Sequence, residues 1–216
     1  MESIMRMYLS SFRLGNHPEE LQRLAGTYRH AAIIMNALDN FPDQRALWLD
    51  GQTRALNNLG FRVTELDLRL HFQRSGDLRS VVDGINAVWV NGGNAFILRR
   101  AMKQSGFDLL IKDALARDAL VYAGFSAGAV ICYRSMHGLE LIDDANDAPM
   151  GYDPEIVWEG LDLLPYAPVV HHGVDYSNPN SPHREIAFYE AHAIPYCAIR
   201  DGQALVIDGL TTKIVG

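Results

Sequence analysis

Short apolar runs separated by longer segments of helical character constrain the fold of this chain more than any other feature. Five runs of four or five residues have the length of strands that are buried on both faces. The runs span 5–9, 31–35, 62–66, 87–90 and 120–123, and the helical segments between them span 19–26, 43–59, 95–105 and 108–117. Because repeated strand–helix–strand units imply right-handed crossovers, we predict a three-layer α/β fold with a mostly parallel sheet and helices on both faces.

The second half of the chain is less regular in pattern. The segments 141–152 and 173–182 are rich in turn-forming residues and are predicted to be loops. Three short runs at 196–199, 204–207 and 213–215 are predicted to form antiparallel strands, joined by turns at Asp201-Gly202 and Asp208-Gly209. With 216 residues, no internal repeat and no Pro- or Ser-rich linker, the chain is predicted to form one domain over 1–216.

Composition and charge argue against several classes of function. The formal charge of -7 does not favour nonspecific nucleic-acid binding, which needs clustered Lys and Arg. No apolar run approaches the length of a membrane span, which is about 18 residues. Cys132 and Cys197 have neither the spacing of a metal site nor that of a disulfide framework. We expect a cytoplasmic protein, monomeric or homodimeric, with no nucleic-acid or membrane partner.

The sharpest local motif lies where the run 120–123 ends. There the chain reads Gly124-Phe-Ser126-Ala-Gly128, followed by small residues typical of a helix start. An apolar strand that leads through Gly-x-Ser-x-Gly into a helix is the context of a nucleophile elbow, which raises the serine Oγ above the sheet edge. The same turn leaves the N–H of the next residue, Ala127, free to stabilise an oxyanion. A glycine-rich turn that only packs would give the same five-residue pattern.

A second glycine-containing turn follows the run 87–90 and reads Asn91-Gly-Gly93-Asn94. Two glycines at a helix start let backbone N–H groups approach an anion. The turn lacks the Lys-Ser/Thr ending of a P-loop and the spacing of a dinucleotide fingerprint. Because ligands in parallel sheets bind at the carboxyl ends of strands, this turn is a candidate second oxyanion donor beside Ser126.

A nucleophilic serine needs a base and an acid that orients the base. Among the eight histidines, His171 and His172 are distinctive because they follow the apolar residues 168–170, where a strand leaves the core. The acid could come from a loop that contains Asp143, Asp144 and Asp147. The chain order serine, aspartate, histidine is also that of α/β-hydrolases, so this order alone does not identify a family.

Five motifs, taken in order, resemble the peptidase E (α-aspartyl dipeptidase) family of serine peptidases. The motifs are Asn91-Gly-Gly93-Asn94-Ala-Phe96, Gly124-Phe-Ser126-Ala-Gly128-Ala129, Asn146-Asp147-Ala-Pro149, Gly160-Leu-Asp-Leu-Leu-Pro165 leading to a histidine, and a late Asp201-Gly202 turn. The resemblance runs from Met5 to the C-terminus. It implies a fold like that of class I glutamine amidotransferases, with a serine in place of cysteine on the elbow.

The resemblance implies catalytic roles for five residues of this chain. Ser126 is the implied nucleophile, His171 the implied base and Asp147 the implied orienting acid. Gly93 and Ala127 would supply the N–H groups of the oxyanion hole. No metal or organic cofactor is needed for this chemistry.

Other matched positions concern the substrate and the alternatives. Arg184 lies near a family arginine suited to gripping a substrate carboxylate, and Asn94 is a further candidate for substrate binding. Asp201 occupies the place of a family acidic residue that is an alternative orienting acid. The family commonly has Pro before its histidine and an aromatic residue after it, whereas this chain has Val170 and His172. His172 therefore remains a competitor for the role of base.

The function implied by the resemblance is hydrolysis of the peptide bond after the N-terminal aspartate of a small peptide substrate, an Asp-Xaa dipeptide. An alternative on the same scaffold is a cyanophycinase-like hydrolase of β-aspartyl-arginine or of another small amide. An α/β-hydrolase esterase is disfavoured, because the 45 residues from Ser126 to His171 leave little room for that fold's later elements. A non-catalytic ligand-binding module, with the elbow as a packing turn, is the alternative from another class.

Overall fold

The computed structural model describes residues 5–72, 75–175, 177–178 and 181–216, with side chains from residue 78 onward in the helix that begins at Ser75. The strands of these residues are β1 (Arg6–Ser10), β2 (His30–Ile34), β3 (Arg62–Glu65), β4 (Ala87–Val90), β5 (Val121–Phe125), β6 (Ala167–Val169), β7 (Tyr196–Ala198), β8 (Ala204–Asp208) and β9 (Thr211–Val215). The α-helices are α1 (Glu19–Ala25), α2 (Pro42–Asn58), α3 (Ser75–Asp83), α4 (Ala95–Ser105), α5 (Phe107–Ala116), α6 (Ala127–Val130) and α7 (His183–Ala191). Short 3₁₀ helices cover Asn36–Leu38, Leu68–His71 and Leu139–Leu141.

A central sheet of seven strands has the order β3-β2-β4-β5-β1-β8-β9. The strands from β3 to β1 are parallel, and β8 and β9 extend the sheet with antiparallel pairing. This topology confirms the mostly parallel α/β prediction and the antiparallel β8–β9 pair. Because β4, β5 and β1 are neighbours, the loops at their carboxyl ends meet at one edge of the sheet.

Alternate side chains of the central sheet enter two different cores. From β1, Met7 and Leu9 belong to a core that also contains buried residues of α3 to α6. Tyr8, between them, belongs to a second core with Leu21 of α1 and Leu56 of α2. Because successive side chains of a strand point to opposite faces, these two cores place helices on both faces of the sheet.

One predicted strand pairing is wrong. The sequence predicts that 196–199 pairs antiparallel with 204–207, but β7 pairs in parallel with β6, with Val169 opposite Ala198. The reason is α7, a helix that the sequence pattern did not predict, which lies between β6 and β7. The three elements form a β–α–β unit, so both strands run in the same direction. The predicted loop 173–182 includes residues 176, 179 and 180, which lie outside the described residues.

Candidate active site

Ser126 lies between β5 and α6 on a turn with a strained backbone. Its φ and ψ are 50° and −117°, a region that residues other than glycine rarely adopt. A Cβ at Gly124 would lie 2.8 Å from the carbonyl oxygen of Val90, and a Cβ at Gly128 would lie 2.4 Å from the same atom. The close approach of β4 to this turn therefore explains why glycines flank the serine on both sides.

His171 is the histidine that reaches Ser126. Its Nε2 lies 3.4 Å from Ser126 Oγ, and its Nδ1 lies 2.8 Å from Asp201 Oδ1. The neighbouring His172 donates its backbone N–H to the carbonyl of Ile199 and does not line the cavity around Ser126. Of the two histidines that the sequence left open, the structure brings His171 to the serine.

Ser11, directly after β1, connects the loops that carry His171 and Asp201. Its Oγ accepts the backbone N–H of His171 at 2.8 Å and donates to Asp201 Oδ1 at 2.7 Å. The sequence pattern did not identify Ser11. The signal that could have found it is its position at the carboxyl end of a strand next to β5.

The predicted contact of Asp147 with His171 is wrong. The Asp147 carboxylate accepts a hydrogen bond from Asn40, and its backbone carbonyl accepts from buried Arg100 of α4. Arg100 binds further carbonyls of the same loop, those of Ala145, Asp153, Pro154 and Glu155. Because these bonds hold the loop against α4, the carboxylate next to His171 is that of Asp201, the alternative acid.

Two backbone N–H groups line the cavity together with Ser126. Ala127 is the first residue of α6, so its N–H has no acceptor within that helix. Gly93 has a φ of 141°, and a Cβ there would lie 2.4 Å from the carbonyl oxygen of Ala37, so only glycine fits. Neither N–H takes part in the loop and turn hydrogen bonds of the described backbone. Both residues lie at the cavity wall, where an oxyanion would form.

The two predicted substrate-binding side chains have other contacts. Asn94 caps α4, because its Oδ1 accepts two N–H groups of the first turn, while its Nδ2 donates to the carbonyl of Asp144. Asn94 still lines the cavity. Arg184, at the start of α7, is exposed and donates to the carbonyl of Leu141 at 3.1 Å. It does not belong to the cavity wall, so the structure brings Asn94 but not Arg184 to the site.

Ser126 and His171 line a cavity of about 550 Å³. Part of its wall is apolar and includes Phe12, Leu38, Phe41, Trp48 and Phe125. Another part is acidic and consists of Asp143, Asp144, Asp147 and Glu185. No lysine or arginine belongs to the described part of the wall. Arg13 lies 5.0 Å and 5.3 Å from the ring centroids of Phe12 and Trp48 and lines a neighbouring groove instead.

Glu185 is the most buried of the four carboxylic side chains in this wall, with 3% of the residue exposed. Burial raises the pKa of Glu185 to about 8, and the nearby charge of Asp143 adds to this effect. Burial likewise raises the pKa of Asp143 to about 6. The sequence reasoning missed Glu185 because it did not predict α7.

The described residues near Ser126 offer neither a reactive cysteine nor a metal site. Cys132 is fully buried, and burial raises the pKa of its thiol well above the usual range, which leaves it unreactive. In the described ranges, no three His, Cys, Asp or Glu side chains are grouped so that they could hold a metal ion. The helices of the same ranges are all too short or too polar to span a bilayer.

Comparison with known proteins finds a peptidase family and several of its members. The model of the family described as "Peptidase family S51" matches residues 43–215 of this chain. The chain is 26% identical over 167 residues to the "Probable alpha-aspartyl dipeptidase" of Drosophila melanogaster, a match that covers 75% of this chain and 64% of that protein. It is 31% identical over 142 residues to "Peptidase E" of Streptomyces coelicolor, with coverages of 62% and 54%. The chain thus spans less than two thirds of the length of these two curated relatives.

Solved structures share the fold over nearly the whole chain. The crystal structure of the "Putative Peptidase E Protein" from Listeria monocytogenes superposes with a TM-score of 0.77 and 22% identity, over 98% of each chain. A peptidase from an acI-B1 Actinobacterium superposes with a TM-score of 0.70 and 16% identity, over 100% of this chain and 88% of the other. At these identities the likeness concerns the fold.

Proposed function

Because the chain belongs to peptidase family S51, we propose that it is a serine peptidase that cleaves a short peptide through an acyl-enzyme on Ser126. The observation that carries this proposal is the position of the His171 imidazole, between the Ser126 hydroxyl and the Asp201 carboxylate. When Nδ1 donates to Asp201, Nε2 is left unprotonated and can accept the serine proton. The 3.4 Å between Nε2 and Oγ is typical of a pair that tightens when substrate binds.

The proposed reaction has two halves that use the same proton carrier. His171 Nε2 takes the Ser126 proton while Oγ bonds to the peptide carbonyl carbon, and the N–H groups of Gly93 and Ala127 hold the oxyanion. The protonated imidazole then gives its proton to the leaving amine nitrogen as the C–N bond breaks. A water molecule next attacks the acyl ester, with its proton passing to His171 and then back to Ser126 Oγ. No metal or organic cofactor takes part in this scheme.

The size of the cavity supports a small substrate. Its volume of about 550 Å³ lies in the range of small-molecule sites, roughly 300–1,000 Å³. The names of the Drosophila and Streptomyces relatives support an Asp-Xaa dipeptide as that substrate. The three aspartates of the wall, Asp143, Asp144 and Asp147, oppose an aspartyl side chain, because like charges repel. Peptidase activity and aspartyl preference are therefore two separate proposals.

The test is release of free amino acids from Asp-Leu, Leu-Leu and N-acetyl-Asp-Leu by the wild type and Ser126→Ala. We expect kcat to fall by on the order of 10⁴–10⁶ in Ser126→Ala, because the attacking oxygen is lost. Near-normal turnover by a clean preparation of that variant would rule out Ser126 as the nucleophile. His171→Ala should be similarly inactive, and His172→Ala is the matched control with little expected effect. The reverse ranking would assign the base to His172.

A further inference from the structure

A groove of about 750 Å³ adjoins the cavity that contains Ser126. The side chains of Phe12 and Trp48 belong to the walls of both, so they form the border between the two spaces. Phe12 also faces the catalytic side, because its ring centroid lies 6.2 Å from that of His171. The groove therefore begins next to the imidazole.

Arg13 gives this groove a cation that has no anionic partner among the described residues. Its guanidinium carbon lies 5.0 Å and 5.3 Å from the ring centroids of Phe12 and Trp48. The guanidinium forms no ion pair and no hydrogen bond with the described part of the chain. By contrast, Arg134, another arginine over an aromatic ring, lies 3.9 Å from the carboxylate of Asp162. The exposed donors of Arg13 are thus free to bind an anion.

The loop that carries Arg13 is fixed by the same turn that carries Asp201. Arg13 has a φ of 51°, a value that residues other than glycine rarely adopt. On its C-terminal side, the N–H of Asn16 donates to the carbonyl of Gly202 at 2.7 Å. Because such a backbone conformation persists only where the fold enforces it, Arg13 is held in a defined place beside the catalytic groups.

The position of His171 decides which part of a peptide lies near the groove. In the proposed reaction the imidazole gives its proton to the leaving amine, so the leaving residue must lie beside the imidazole. Phe12 contacts the imidazole, and Arg13 lies over the ring of Phe12. Both residues are therefore on the leaving side of Ser126.

Charge differs between the two sides of the site. On the oxyanion side, Asp143 accepts the N–H of Ala95, which follows the Gly93 turn, and Asp144 lies next to it in the wall. On the leaving side, the adjoining groove has the cation of Arg13. A carboxylate is repelled on the first side and attracted on the second. The carboxylate at the C-terminal end of a short peptide therefore matches the leaving side.

We propose that Arg13 binds the C-terminal carboxylate of the leaving part of the peptide, and that Phe12 and Trp48 line the path of this part from Ser126 to the groove. The inference rests on the proposed function and adds a preference for a free C-terminal carboxylate. A guanidinium suits this ligand because its parallel N–H groups match the two carboxylate oxygens. The leaving part is a single residue in a dipeptide and a dipeptide in a tripeptide, and both end in this group.

The first test measures binding without turnover. Ser126→Ala is titrated by calorimetry with Asp-Phe, with Asp-Phe-Ala and with the C-terminal amide of each peptide. We expect at least one free acid to bind about 10-fold more tightly than its amide, the low end for a hydrogen bond to a charged group, because Arg13 is exposed. Discrimination in the dipeptide pair means that a single leaving residue reaches Arg13. Discrimination in the tripeptide pair alone means that a longer leaving part is needed.

Substitutions of Arg13 in the Ser126→Ala background assign the effect. With Arg13→Gln the free acid and its amide should bind equally, whereas Arg13→Lys should keep part of the preference because the charge remains. The fold should tolerate both, since the side chain is exposed and contacts only two rings among the described residues. The matched control is Arg134→Gln, which removes an exposed arginine from a ring that lines neither the cavity nor the groove.

The inference is wrong if neither free acid binds more tightly than its amide, if the preference survives Arg13→Gln, if Arg134→Gln removes it equally, or if no peptide binds. Asn-Phe tests the other carboxylate of the substrate. If Arg13→Gln removed a preference for Asp-Phe over Asn-Phe and kept that for acid over amide, Arg13 would bind the aspartyl side chain instead.

Cleavage of the same peptides by the wild type is measured separately. Binding in the expected pattern without cleavage would count against the proposed function alone. Cleavage without discrimination between free acid and amide would count against the Arg13 subsite alone.

Discussion

Asp201 and Glu185 are carboxylic side chains at two ends of one site, and their surroundings are opposite. The Asp201 side chain is 46% exposed, and a single oxygen of it accepts from both Ser11 and His171. Glu185 is almost fully buried, and its Oε1 accepts from no described group. The difference separates two situations of a carboxylic side chain: Asp201 is half-exposed and contacts the histidine beside the nucleophile, whereas Glu185 is buried with one oxygen unpaired among the described residues.

The largest expected effect is at Asp201. Asp201→Asn should lower kcat by roughly 10³–10⁴, because an amide in this place favours the wrong tautomer of His171. The measurement is kcat on the best dipeptide, with folding checked by circular dichroism. Asp147→Asn is the matched control, since the same substitution there leaves the imidazole's partner in place. If Asp147→Asn were the more damaging of the two, the assignment of Asp201 would fail.

A smaller effect is expected from the residue that positions both partners. Ser11→Ala removes the acceptor of the His171 N–H and one donor to Asp201, and kcat should fall about 10-fold, as for a hydrogen bond to a charged group. KM should not change, because Ser11 touches the catalytic pair and not the cavity.

Ser10→Ala is the control for this variant, since the neighbouring buried hydroxyl donates to the carbonyl of Arg13 and does not contact His171. Equal losses in Ser10→Ala and Ser11→Ala would mean that the damage comes from packing. A rise in KM with unchanged kcat in Ser11→Ala would also contradict the positioning role.

The smallest expected effect concerns stability at the unpartnered end. Burial raises the pKa of Glu185 from 4.5 to about 8, so between these values the folded chain holds a proton that the unfolded chain has released. The free energy of unfolding therefore falls as pH rises through this window, and the stabilisation is complete only below it. Tyr189 and Asp143 face the same carboxyl group, and both remain in the variant Glu185→Gln.

Thermal unfolding between pH 5 and pH 8 checks this difference. The fall in Tm should be smaller in Glu185→Gln than in wild type by about 3 °C or more, which corresponds to roughly 1 kcal/mol in a domain of this size. Glu190→Gln, a control at an exposed position of α7, should keep the wild-type dependence of Tm on pH. Parallel curves for wild type and Glu185→Gln would show that Glu185 carries its proton in neither state over this range.

The elbow could be predicted from sequence because its requirements are local. The glycines around Ser126 are needed by contacts with the adjacent strand, and such contacts appear wherever a strand leads into a helix through so tight a turn. The parallel direction of the first five strands follows from crossover helices, and the sequence pattern shows these helices in three of the four connections; it did not predict α3, between β3 and β4. The sequence also narrowed the base to His171 or His172, because both histidines directly follow a predicted strand.

The acid could not be chosen from sequence, because it depends on contacts between distant segments. Asp147 and Asp201 are both plausible by order along the chain, and the choice is made by Arg100 and Ser11. Neither contact has a sequence pattern. The misassigned β7 compounded the problem, because the Asp201 segment joins two sheets instead of closing a hairpin. Glu185 was missed for a similar reason. Its burial depends on α7, and the sequence pattern did not predict that helix.

Ser126 and His171 share one further property, a positive φ in residues that have a side chain. Such a conformation costs about 1–3 kcal/mol at each position and persists only because the surrounding fold enforces it. The two groups that would carry the reaction are thus also two places where the chain could gain heat resistance, for example by a glycine at 126. Selection for thermal stability alone would favour substitutions that remove this backbone strain. The result would be a more stable protein without a nucleophile.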